Sequence, residues 1–166
     1  GDRSISTHIV SYLGVLQQAL RDLSAWVEKG ISPPSTTRYS IVDGQVQLSE
    51  SADELGGLQP TVNLKANGGV RAEVGIGESV KLTATVQVPP GSGEIVRAEW
   101  DFDGKGKFSE QAVIETESKV SLETPHSYAQ SGTYFVTLRV TSHREGDQDA
   151  TFALVRNLGR VRIVVN

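Results

Sequence analysis

The sequence predicts a mainly β protein: an antiparallel β-sandwich preceded by one amphipathic helix and a β-hairpin. Three observations carry this expectation. From Pro60 onward, apolar residues recur at period two in several runs. Turn signals, not helical segments, separate those runs. One stretch near the start, Ile9 to Lys29, instead has the three-and-four spacing of a helix.

The helix comes first. Leu13, Leu16, Leu20, Leu23 and Val27 line up as one apolar stripe. Ser6 or Thr7 can cap its start, Gly30 its end, and Pro33-Pro34 stops it. A lone helix of this length is marginal in water, so the stripe is expected to bury against the rest of the chain, a second copy or another domain. Asp43-Gly44 then separates two alternating runs in RYSIVDGQVQLSE, the signature of a hairpin with a type I′ turn. Ser49 to Gly57 is polar and Gly-rich and reads as a linker, so residues 1–59 and 60–166 are expected as separate units.

The sandwich elements follow. Val80, Leu82, Ala84, Val86 and Val88 alternate with polar residues. Val96, Ala98, Trp100 and Phe102 form a second inward row, and Tyr134, Val136, Leu138 and Val140 a third. Val161, Ile163 and Val165 close the chain. Asn157-Leu158-Gly159 is expected to bend or bulge the last strand. The outward polar row Lys81, Thr83, Thr85 and Gln87 is expected to be solvated or to receive the helix or hairpin.

Composition narrows the function. The chain has 166 residues, no Cys and no Met, with a net charge of −4. Without cysteine there is no disulfide, thiol nucleophile or zinc–thiolate site. The absence of Met suggests a processed chain or an excised piece. No apolar run is long enough to span a membrane. Neither half is basic: residues 1–59 carry 4 basic and 7 acidic residues, residues 60–166 carry 12 and 13. Nucleic acid is therefore not an expected partner.

AEWDFDGKGKFSE, Ala98 to Glu110, raises the question of a metal. Asp101, Asp103 and Gly106 fit positions 1, 3 and 6 of an EF-hand loop. Lys105 at position 5 and Ala112 at position 12 do not, so an EF-hand is rejected. A looser calcium site at Asp101 and Asp103 would need further oxygens. The favoured reading is a solvated turn with Asp101 bonding local amides, and no cofactor is expected.

EWDFDGKGKF followed by TPHSYAQSGTYFVTLRV resembles the PKD domain, an immunoglobulin-like sandwich. The matching residues are Trp100 and Phe102, His126 and Tyr128, then Gly132 and Tyr134, over about 60–166. The family's Gly-Asp-Gly is replaced by Asp103-Gly104-Lys105-Gly106. The resemblance implies a buried Trp100, a Tyr128 corner bonding the backbone, and a noncatalytic accessory domain of an extracellular, periplasmic or cell-surface protein. Its implied partners are a protein or polysaccharide surface. ALRDLSAWVEKGISPPSTTRY, within residues 1–40, is similar to the end of the catalytic domain in secreted α/β-hydrolases of the tannase and feruloyl-esterase type. That likeness implies an upstream esterase-type domain and offers His8 as a catalytic base. The chain has no Gly-x-Ser-x-Gly elbow and no complete triad, so it is not itself expected to be an enzyme.

Parity places Arg139, Arg160, Arg162 and Phe135 on one outer sheet face, a usable surface for an anionic partner or glycan. Cross-strand pairing of Arg139 with Glu99, with Arg97 nearby, is favoured over an open binding surface. Three functions remain: an accessory interaction module, part of a hydrolase active-site region with His8, and self-association through the helix.

Overall fold

The computed structural model describes residues 9–166 apart from 109 and 113, and no side chain is described at 110 or 111. Ser6, Thr7 and His8 lie outside the described residues.

Helix α1 spans Leu13–Lys29. It starts after Tyr12, with the Leu13 amide donating to Ser11 Oγ at 3.3 Å. Gly30 ends it in the left-handed conformation, as expected, and donates its amide to the Trp26 carbonyl. β1 (Ser40–Val42) and β2 (Gln45–Gln47) form the hairpin. Its turn has φ of 51° at Asp43 and 75° at Gly44, the two positive values a type I′ turn requires.

The expected linker is instead a packed connection. It holds the short helix α2 (Ala52–Leu55), with Ala52 and Leu55 buried. The Arg38 amide donates to the Leu55 carbonyl and the Gly57 amide to the Ser35 carbonyl. The expectation failed because hydropathy reads only the polar surface of this stretch.

Two sheets pack face to face. One holds β3 (Thr61–Ala66), β5 (Ser79–Gln87) and β8 (Lys119–Ser127), with β5 in the middle. The other runs β4 (Arg71–Val74), β10 (Val155–Val165), β9 (Gly132–His143), β6 (Glu94–Asp101) and β7 (Glu110–Gln111). The period-two rows meet between them: Val80, Leu82, Val86, Ile95, Trp100, Val136, Leu138, Val140, Val161 and Ile163 are all buried. One pairing departs from the antiparallel expectation, since β4 runs parallel to β10, with Arg71 opposite Arg162. A four-residue strand gives too little pattern to reveal its direction.

The last strand is neither bent nor bulged. β10 pairs with β9 without a register shift from Val155 to Val165. Gly159 is there for clearance: a Cβ would lie 2.5 Å from Val62 Cγ1 and 3.1 Å from Leu64 Cβ. The missing side chain lets β10 approach β3 of the opposite sheet closely here. The irregularity falls in β6 instead, between Ile95 and Arg97, where Ile95 and Val96 are both buried.

Helix α1 docks with the wrong side, judged by its sequence. Its buried residues are Gly14, Gln18 and Asp22, one turn apart. Gly14 lies against Leu154, where any Cβ would come 1.7 Å from the carbonyl oxygen. Asp22 accepts two bonds from Arg144 at 2.8 and 2.9 Å, and Gln18 donates to Asp22 at 2.9 Å. Gln17 accepts the Ala153 amide. The helix is clamped to the β9–β10 connection through polar groups and one close approach. The apolar stripe faces away: Leu13, Leu16, Leu20, Leu23 and Val27 are between 47% and 76% exposed. Among the described residues, nothing buries that stripe within the chain.

The outward row of β5 receives neither α1 nor the hairpin. Lys81 pairs with Glu123 on β8, and Gln87 donates to Asp53 of α2.

Candidate functional site

The outer face of the five-stranded sheet can be read as a grid, because side chains on one face recur every second residue. Four rows follow from the register. The first carries Arg71, Arg162 and Phe135; the second Arg160, Thr137 and Asp101. The third carries Leu158, Arg139 and Glu99; the fourth Arg156, Thr141 and Arg97. The four residues expected to share this face, Arg139, Arg160, Arg162 and Phe135, do share it.

Their surroundings differ. Arg139 is committed to Glu99 through a two-pronged contact of 3.0 and 3.1 Å, the cross-strand pair the sequence favoured. Its guanidinium also lies 4.1 Å from the Phe108 ring centre. Arg160 lies 4.1 Å over the Phe135 ring in the same manner. Arg162 is exposed, with no ion-pair partner among the described residues. Thr137 and Thr141 are fully buried on this face between their cross-strand neighbours.

Two arginines join the face unannounced. Arg71 arrives on the parallel strand β4, where it bonds Glu73. Arg156 arrives because β10 keeps its alternation through Gly159; a bulge would have broken the parity that places it here. Burial, then the nearby Arg139, lowers the Arg156 pKa from the ordinary guanidinium value. Its Nε is buried without a hydrogen-bond partner.

The Asp101 turn is built around one carboxylate. Asp101 is 3% exposed while Asp103, Lys105 and Lys107 stay exposed, so the turn itself is solvated, as expected, and only its central carboxylate is buried. Its Oδ1 accepts the amides of Gly104 (2.9 Å) and Lys105 (3.3 Å), and its Oδ2 the amide of Gly106 (2.6 Å). Both oxygens serve the fold. Asp103 contacts Lys105 at 3.4 Å. No group of three or more His, Cys, Asp or Glu side chains suited to a metal occurs among the described residues.

Beside this turn the aromatic residues form one ladder. Trp100 stacks on Phe102, Phe102 on His126 at 4.1 Å, His126 meets Tyr128 edge-on, and Tyr128 stacks on Tyr134 at 3.9 Å. Tyr128 donates its hydroxyl proton to the Phe102 carbonyl at 2.8 Å, the corner bond the sequence implied. Burial, then the charge of Asp103, raises the Tyr128 pKa above the ordinary tyrosine value. Phe102 has neighbours on both faces, so this ladder holds the strand end and is not an open stacking platform.

A family model described as the PKD domain matches residues 61–155. This chain belongs to the PKD domain family. The ladder residues Trp100, Phe102, His126, Tyr128 and Tyr134 all fall inside the match, which gives the motif a structural role. PKD domains are generally noncatalytic accessory modules, are common in extracellular proteins, and commonly mediate protein or carbohydrate contacts. Similar solved structures include the PKD domain of an M14-like peptidase from Thermoplasmatales archaeon SCGC AB-540-F20: 14% identity, 63% of this chain, 91% of that chain, TM-score 0.44. A CARDB domain from Pyrococcus furiosus, crystallised with di-metal ions, is 16% identical over 64% of this chain and 92% of that one, TM-score 0.46. No curated protein matches the chain. The family match begins at Thr61, so the hydrolase resemblance of residues 1–40 gains no support from it. Among the described residues, no helix is long and apolar enough to cross a membrane.

Proposed function

We propose that the chain is a PKD accessory module that carries its own docking helix for a neighbouring catalytic domain of α/β-hydrolase type in a secreted protein. One observation carries this reading: α1 is fixed to the sandwich by Gly14, Gln18 and Asp22 while its apolar stripe stays exposed. A contiguous exposed apolar patch marks an interaction surface. Covering the remaining half of five large apolar side chains would contribute roughly 1 kcal/mol each. The polar clamp makes α1 a rigid strut, so a domain seated on the stripe is oriented relative to the sandwich. The sandwich then positions or braces that domain against a polymer, a cell surface or another protein.

The test is thermal unfolding of the polypeptide in which this chain occurs, with and without Leu16→Glu and Leu20→Glu. A seated catalytic neighbour predicts cooperative unfolding that splits into two transitions when both changes are made. Unfolding that ignores both changes removes the reading. Light scattering on the 166-residue chain separates the self-association alternative. A dimer that the same changes make monomeric would assign the stripe to a second copy.

A further inference from the structure

Asn67-Gly68 is the one place in the sequence where an asparagine precedes a residue without a side chain. The pair forms the turn between β3 and β4, with φ of 48° and 84°. Two positive values make this a type I′ turn. Ala66 and Gly69 close it, each donating its amide to the other's carbonyl at 2.7 and 3.0 Å. We propose that this turn is a site of spontaneous covalent modification, at which loss of ammonia from Asn67 releases the edge strand β4.

The chemistry needs only water. With no Cβ beside it, the Gly68 nitrogen is open to close approach. That nitrogen attacks Asn67 Cγ and loses its proton. The bond from Cγ to Nδ2 breaks, and ammonia leaves a succinimide ring. Water then opens the ring at either carbonyl. One product has aspartate at position 67. The other has isoaspartate, whose main chain runs through Cγ and is one carbon longer. Asn63 and Asn157 precede Leu64 and Leu158, whose side chains hinder the same attack.

The fold sets the rate. Asn67 is exposed, but its side chain is held: Oδ1 accepts the Lys81 amide at 2.9 Å, beside a 2.8 Å bond from the Asn67 amide to the Lys81 carbonyl. Turning Cγ onto the Gly68 nitrogen breaks the Oδ1 bond, so modification waits on local opening of the turn.

The two products differ in consequence. Aspartate keeps an oxygen for the Lys81 amide. Isoaspartate lengthens a tight turn, and the displacement falls on β4. That strand is weakly held. It is four residues long, lies at the sheet edge and places Arg71 opposite Arg162. Its attachment to β10 begins just past the turn, where the Val70 carbonyl accepts the Arg162 amide at 3.1 Å. Without β4, the long strand β10 becomes an open edge, which invites pairing with another chain.

The experiment ages the 166-residue chain at mildly alkaline pH, folded and in guanidinium, with peptide mapping and isoaspartate counted by L-isoaspartyl methyltransferase. Expected is conversion at Asn67 in both, at least tenfold slower when folded, with Asn63 and Asn157 unchanged over the same time. Hydrogen exchange on the aged folded protein should show lost protection at β4 and at the Arg162 and Asn166 amides, with β5 and β9 still protected. Aggregates on size exclusion should grow in step with isoaspartate. Asn67→Gly keeps the positive φ and has no carboxamide, so it should age without these changes. Fresh Asn67→Asp should keep β4 protected. Equal rates in the two states, or no conversion in the folded chain, would overturn the proposal. So would isoaspartate at 67 with β4 still protected, the same ageing in Asn67→Gly, or loss of β4 protection in fresh Asn67→Asp.

Discussion

Substituting Gly159 by alanine should destabilise the sandwich by forcing its two sheets apart. Gly159 sits mid-strand without a positive φ, so alanine incurs no backbone strain there. On propensity alone the change would stabilise by about 0.5–1 kcal/mol, because glycine loses more chain entropy on folding. The structure reverses the sign. The new methyl meets Val62 Cγ1 at 2.5 Å, and Leu64 Cβ and the Val62 carbonyl oxygen at 3.1 Å. Overpacking of this kind costs about 1–3 kcal/mol. The net is a loss of about 1–2 kcal/mol, or a midpoint lowered by roughly 3–6 °C for a chain of this size. Val62 carries the nearest clashing atom, so Val62→Ala should relieve the strain. The double variant should be more stable than the sum of the two single changes by about 1 kcal/mol. Urea unfolding of the four proteins measures the cycle. A rise in stability on Gly159→Ala, or strict additivity with Val62→Ala, would refute the close-approach account; additivity would fit a bend in the strand instead.

Gly14→Ala should undock α1 without unfolding the sheets. Hydrogen exchange would then speed up at the α1 amides while β5 and β9 stay protected, and a chain-wide loss of protection would contradict the separation. Asp101→Ala should cost about 2 kcal/mol by leaving three turn amides without their acceptor, equally in millimolar calcium and in EDTA. A wild-type midpoint that rises with calcium would show that the turn holds the ion. Tyr128 has a raised folded pKa, so the unfolded chain binds fewer protons in the alkaline window. Its contribution is fully present below the ordinary tyrosine value of about 10 and is lost as pH rises above it. Tyr128→Phe should flatten that alkaline fall and cost about 1 kcal/mol at neutral pH; an unchanged alkaline slope would contradict the assignment.

Period-two alternation made the sandwich legible, because side chains on a half-buried strand cannot change face without losing the core. The inward rows through Val80 and Val136 hold, and the Ala98 row holds from Ala98 onward, with Ile95 taking the core position expected of Val96. Parity also holds as a guide to placement, which put Arg139, Arg160, Arg162 and Phe135 on one face before any contact was known. It missed Arg156 because Gly159 in a strand suggests a bulge as readily as a close approach. It missed Arg71 because parallel pairing depends on where a strand returns in space. The largest error concerned α1. Its apolar stripe named the face that seeks cover but not what covers it, and the Asp22–Arg144 clamp joins residues 122 positions apart. No local pattern reports such a pair.

The central claim is that residues 60–166 serve a catalytic neighbour without taking part in its chemistry. The direct measurement is hydrolysis by the polypeptide that carries this chain, with and without residues 60–166, of a small soluble ester and of the same ester attached to an insoluble polymer. The account predicts a loss of tenfold or more on the polymer if the sandwich positions the enzyme, or a matched loss on both that follows a lowered melting temperature if it braces it. Unchanged rates on both substrates at an unchanged melting temperature would contradict it.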